Sequence, residues 1–108
     1  MAILNVQKIN SAGVSPEFVA AEAGGDKFAN YGRTCIIVKN GDTSPTTVTV
    51  NSQKPCDQGF DHDLTVSVPA SDEKWIGPLE PGRFNNAAGQ VEVAYSAVAS
   101  VTVAVVQV

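Results

Sequence analysis

No charged residue follows Glu92, and the chain ends in SAVASVTVAVVQV, an almost continuous run of valine and alanine. β-Branched side chains of this kind suit a pleated, buried surface better than a helix. At an exposed sheet edge the run would offer a row of unpaired N–H and C=O groups to other chains. The segment therefore has to be central in a sheet or paired across a subunit interface, and it reads as the arm of a last hairpin. The remaining residues must supply its partner strands.

Residues 3 to 9, ILNVQKI, alternate imperfectly before turn residues break them off, which predicts a first strand at an edge. In EFVAAEAGGDKFANYG, Gly24-Gly25 would stop any helix within about two turns, so an extended or irregular path is expected. TCIIV places Cys35 and Ile37 on one face and Ile36 and Val38 on the other. Apolar residues on both faces predict a strand deep in the sheet system. The turn residues Asn40 to Pro45 then lead into TTVTVNSQ, where Val48 and Val50 oppose Thr47, Thr49 and Asn51, and the two strands read as a hairpin. CDQGFDHD, with Phe60 as an anchor, is expected to cross between sheets. Leu64, Val66 and Val68 share one face of the next strand, and Val91, Val93 and Tyr95 one face of a later one.

Between these two strands lies a corner. Pro69-Ala70-Ser71-Asp72 turns the chain, and Gly77-Pro78 and Pro81-Gly82 cannot continue a strand. Trp75 and Phe84 are expected to pin the two bends into the core, where an indole is worth about 3–5 kcal/mol by truncation. About eight strands with turn chemistry between them predict an antiparallel β-sandwich of immunoglobulin-like or jelly-roll type. The Cys-Trp-Cys order of antibody domains is missing, because Trp75 follows both Cys35 and Cys56. With 108 residues the chain reads as a single domain over 1–108, with residues 1–30 as an irregular arm.

Chemistry is sparse along this chain. The formal net charge is −4 and the seven Lys and Arg are scattered singly, which excludes a phosphate-binding patch and direct nucleic-acid binding. No apolar span reaches the roughly 20 residues of a membrane helix, so no membrane partner is expected. MAILNVQKIN lacks the pattern of a signal peptide, which points to synthesis in a cytoplasm and two unpaired thiols. Cys56, Asp57, Asp61, His62 and Asp63 form the one suggestive cluster, but their spacing fits neither zinc nor calcium sites. Cys56 with His62 has no accompanying oxyanion-hole turn, the carboxylate pairs Asp61/Asp63 and Asp72/Glu73 sit in turns, and no phosphate loop is present. No metal, cofactor or enzymatic activity is expected. Trp75, Tyr95, Phe84 and Tyr31 would make a sugar-stacking platform if exposed, but their strand and corner positions favour core packing. Lys74, Glu80, Arg83 and Glu92 are placed to bridge a corner or a subunit contact.

Asn40-Gly41, Val68-Pro69-Ala70, Ile76-Gly77-Pro78, Arg83-Phe84-Asn85 and Tyr95-Ser96-Ala97-Val98 follow one another within Val38 to Val105, about two thirds of the chain. In this combination the chain resembles a group of small head-associated proteins of tailed bacteriophages. It departs from their pattern at Ser71, where they carry Gly, and at Leu79, where they carry Phe. The resemblance implies a virion structural protein, a decoration or cement protein that binds the major capsid protein on the capsid exterior and stabilises the head. It also implies a homo-oligomer, for which a trimer is one form. Under this reading the interface candidates are Arg83 and Glu80 at the corner, Phe18 and Phe28 in the N-terminal arm, and Val106 and Val108 in the last strand. The alternative from another class is a carbohydrate-binding or adhesin-like sandwich of a phage tail or head fibre, which would require Trp75 or Tyr31 to be accessible to solvent.

Overall fold

The computed structural model describes residues 2–53 and 63–107. Two mixed five-stranded sheets pack face to face. The first has the order β1 (Ala2–Ile3), β4 (Asp26–Ala29), β9 (Gln90–Tyr95), β6 (Thr46–Val50), β7 (Leu64–Val68). The second has the order β2 (Val6–Lys8), β10 (Val101–Gln107), β5 (Thr34–Asn40), β8 (Asp72–Ile76), with β3 (Val19–Ala20) also on β10. The β-sandwich read from the alternation is therefore present, with ten strands because the N-terminal region contributes four short ones.

The uncharged C-terminal run is central. β10 pairs antiparallel with β5 from Val101↔Asn40 to Gln107↔Thr34, and its other edge is shared by β3 and β2. Its inward residues Val101, Val103 and Val105 join Ile36 and Val38 of β5 in the main core, facing Val48, Val50, Val91 and Val93 of the opposite sheet. Ile37, Ala104 and Val106 are buried as well, although they project from the other face. Apolar side chains on both faces of this strand pair are what a doubly covered strand requires.

Several expectations change. β5 and β6 lie in different sheets, so the turn at Asn40 to Pro45 crosses the sandwich and does not close a hairpin. β6 instead pairs with β7 from Thr46↔Val68 to Val50↔Leu64, so the strands on either side of CDQGFDHD are neighbours in one sheet, and residues 54–62 lie outside the described residues. β9 and β10 are likewise in separate sheets, so β10 is no hairpin arm. Residues 2–29 form no separate arm: β1 and β4 belong to one sheet, β2 and β3 to the other, and Leu4 is buried in the core as the chain steps between them.

The corner is a built structure. Pro81 opens the single helical turn α1 (Pro81–Phe84), and Leu79 and Phe84 plug the core on either side of it. Asn30 donates from Nδ2 to the Leu79 carbonyl at 3.0 Å and to Asn85 Oδ1 at 2.8 Å, while Asn85 Nδ2 donates to the Asn30 carbonyl at 3.0 Å. These bonds satisfy the polar groups that a chain reversal would otherwise bury unpaired. Gly77 has φ +140°, and a Cβ there would stand 2.8 Å from Cys35 Sγ and 2.9 Å from the Thr34 carbonyl, so only glycine fits. In the turn before β8, Asp72 N–H donates to the Pro69 carbonyl at 3.2 Å and Ser71 takes φ +58°. The left-handed conformation that favours glycine is thus kept with serine, at a cost of about 1–2 kcal/mol.

One polar contact lies within the core rim. Tyr95 Oη donates to Asp26 Oδ2 at 2.7 Å, Asp26 is buried, and its Oδ1 has no partner among the described residues. Burial, followed by this hydrogen bond and the charge of Asp26, pushes the Tyr95 phenol well above the ordinary tyrosine range. A proton held more tightly in the folded state adds stability that is complete below the unfolded pKa near 10 and is lost as pH climbs toward the folded value. Tyr95→Phe is therefore expected to cost about 1–3 kcal/mol at pH 7, because the buried Asp26 keeps, among the described residues, only the longer hydrogen bond from Glu22 N–H at 3.4 Å, and to flatten the fall in melting temperature above about pH 10. Thermal melts of both proteins from about pH 7 to about pH 12 check this.

Candidate binding surface

The outward face of the second sheet carries the most organised group of exposed side chains. Direct cross-strand pairing sets Lys39 of β5 opposite Glu73 of β8, and Ile37 opposite Trp75. Residues paired in this way share a face. β8 is an edge strand, and Asp72 through Trp75 are all exposed while Ile76 turns into the core. Adjacent residues on a strand point to opposite faces, so only one of Trp75 and Ile76 can be inward. Ile76 takes that place, and Trp75 remains 59% exposed.

The indole is held. Trp75 Nε1 donates to Glu73 Oε2 at 2.9 Å, and Glu73 Oε1 lies 3.7 Å from Lys39 Nζ. Lys39 Nζ in turn sits 4.1 Å from the centre of the Phe18 ring, brought to this face just ahead of β3. Each link is weak by itself, at most about 1 kcal/mol for an exposed ion pair and a similar amount for an exposed cation–π contact. Joined in series from Phe18 through Lys39 and Glu73 to Trp75, they fix the rotamer of a large aromatic and leave its ring open. Beneath them Ile37 and Ala104 are buried, so the row stands on rigid strands.

Next to this row is a cleft of about 390 Å³ lined by Lys39, Asn40, Gly41, Ser71, Asp72 and Glu73. Asn40 forms a fixed wall: its Nδ2 donates to the carbonyls of Ser44 at 2.9 Å and Val68 at 3.1 Å, and its Oδ1 accepts from Asp42 N at 3.0 Å. Asp72 Oδ1 accepts from Glu73 N at 2.8 Å. The hydroxyl of Ser71 and the carboxylates of Asp72 and Glu73 place acceptors along the cleft, whose lining is otherwise more apolar than polar.

The expected site residues are dispersed. Phe28 and Val106 are fully buried, Phe28 in the core between the sheets and Val106 on the covered outer face of β10, so neither can meet a partner. Phe18 is half-buried under Lys39, and Val108 lies outside the described residues. Glu80 is exposed just before α1, and Arg83 is half-buried with its guanidinium carbon 4.7 Å from the centre of the Phe84 ring. Lys74 is exposed on β8, and Glu92 accepts from Asn86 Nδ2 at 3.0 Å. Trp75 and Tyr31, expected in the core, are 59% and 70% exposed, whereas Phe84 is buried and Tyr95 packs at the core edge as expected.

Of the thiol, imidazole and carboxylate cluster, Cys56, Asp57, Asp61 and His62 lie outside the described residues, as does Phe60, and Asp63 Oδ1 accepts from Ser52 N at 2.9 Å. Among the described residues no three His, Cys, Asp or Glu are grouped to hold a metal ion. Desolvation raises the pKa of the Cys35 thiol, which favours its unreactive protonated form. The row from Phe18 to Trp75 had no signature in the sequence: Lys39 lies on β5, Glu73 and Trp75 on β8 and Phe18 just ahead of β3, and only the β5–β8 register and the pairing of β3 with β10 bring them together.

No protein-family model matches this chain, and no curated protein or solved structure matches it.

The exposure of Trp75 has a direct thermodynamic consequence. Trp75→Ala should change the unfolding free energy by less than about 1 kcal/mol, as expected of a surface site with one hydrogen bond. A core tryptophan would cost about 3–5 kcal/mol. Urea unfolding of the two proteins distinguishes these values.

Proposed function

We propose that the chain is a structural protein of a bacteriophage virion, a capsid decoration or cement protein that binds capsid subunits through the outward face of its second sheet. The observation that carries this reading is the exposed Trp75, held by Glu73 and Lys39 on an edge strand. Tryptophan is among the residues that dominate protein interfaces, and a pre-ordered anchor loses little entropy on binding. The motifs shared with small phage head proteins supply the virion context. Phe18 and Lys39 contribute by ordering Trp75, and Glu80 and Arg83 at the corner offer a second polar contact point. Association with a repeated lattice would stabilise both partners by mass action.

A second reading is favoured by a specific observation. Exposed Trp75 and Tyr31 meet the condition set for a carbohydrate-binding module, which needs aromatic side chains accessible to solvent.

Mass spectrometry of purified particles tests the first reading. The chain should be found at a copy number comparable to that of the major capsid protein, and particles lacking it should release DNA at lower temperature. Absence of the chain from the particle would contradict the reading.

A further inference from the structure

We infer that Trp75 and the adjoining cleft form one extended site for a neutral oligosaccharide, with one sugar ring on the indole and the next in the cleft; this rests on the second reading above. Glu73 is the shared element. It accepts the Trp75 Nε1 hydrogen at 2.9 Å and also lines the cleft with Ser71 and Asp72. Trp75 and Glu73 are two residues apart on the same face of β8, so the two subsites are displaced along the strand by about 6–7 Å. That displacement separates neighbouring rings of a chain and leaves a single sugar able to fill only one subsite.

The chemistry of each part selects the ligand. An indole whose N–H is already bonded to a carboxylate offers its apolar face, which suits the C–H face of a pyranose. The cleft sets a few acceptors, the carboxylate oxygens of Asp72 and Glu73 and the hydroxyl of Ser71, in a lining that is otherwise more apolar than polar, which suits the O–H donors and the C–H groups of a neutral sugar together. Lys39 is already engaged by Glu73 at 3.7 Å and by the Phe18 ring, so Asp72 leaves the cleft acidic. With a net charge of −4 on the whole chain, anionic glycans are disfavoured. The wall is rigid because the Asn40 amide is held by two backbone carbonyls and one N–H.

Trp75 is the only tryptophan of the chain, so its fluorescence reports this site alone. The full chain is screened on an array of neutral, sialylated and sulfated glycans. It is then titrated with mono-, di- and trisaccharides of the best-bound neutral series while tryptophan emission is followed. Emission should change on binding, and the trisaccharide should bind at least tenfold tighter than the monosaccharide. By calorimetry, Trp75→Ala should abolish binding, Trp75→Phe should retain a weakened part of it, and Asp72→Asn should weaken the trisaccharide more than the monosaccharide. Far-UV circular dichroism and melting confirm that each variant is folded. Equal affinity for all lengths, preference for anionic glycans, or binding that survives Trp75→Ala would overturn the extended site while leaving a carbohydrate-binding role intact. A complete absence of binders would overturn both, without touching the virion reading.

Discussion

The pairing of β10 with β5 is the interaction on which the rest of the structure depends. It runs over seven residue pairs and buries apolar side chains on both faces. One face closes the core against the other sheet, and the opposite face carries Ile37, Ala104 and Val106 out of contact with water. A strand without charge is tolerable only in such a place, because neighbouring strands lie along both of its edges and little of it is left to recruit other chains. The short N-terminal strands β2 and β3 make this possible by sharing the free edge of β10. The N-terminal region is therefore a structural cover for the most aggregation-prone segment.

β1 and the short β2 and β3 lie at one edge of their sheets, and the longer edge strands are β7 and β8. β7 presents Leu64 and Val66 half-buried with Thr65 and Ser67 outward, while β8 presents Asp72, Glu73, Lys74 and Trp75. Charged residues on an edge strand guard against indiscriminate pairing. A tryptophan among them is the exception, and its indole is tied down by Glu73 instead of being left mobile. The ordered and exposed aromatic, set beside a cleft walled by the fixed Asn40 amide, is what separates this surface from an ordinary solvated edge. The two proposed readings, a protein partner and a sugar, would both use this feature and differ in whether the cleft is filled.

Much of the fold was legible in local pattern. Alternation located β5, β6, β7 and β9, the Gly-Pro and Pro-Gly pairs located the corner, and the valine-rich end demanded a central position. Connectivity was not legible, because alternation says that a strand exists and not which sheet it joins. The turn from Asn40 to Pro45 is as able to cross the sandwich as to close a hairpin, and crossing is what the two-sheet packing required. Side assignment at Trp75 failed for a related reason. Trp75 and Ile76 compete for one inward position, and residue size suggested the tryptophan, but the strand parity fixed by Ile36↔Ile76 gave it to isoleucine. The Asn30–Asn85 bonds and the row from Phe18 to Trp75 join residues far apart in sequence, so only tertiary register reveals them.

Hydrogen–deuterium exchange of the free chain and of the chain mixed with head shells measures the central claim most directly. Binding through the outward face of the second sheet predicts slowed exchange in a peptide covering Asp72 to Ile76, with β1 and β7 of the other sheet unchanged. Slowed exchange confined to β1 or β7, or none at all at saturating shells, would contradict it.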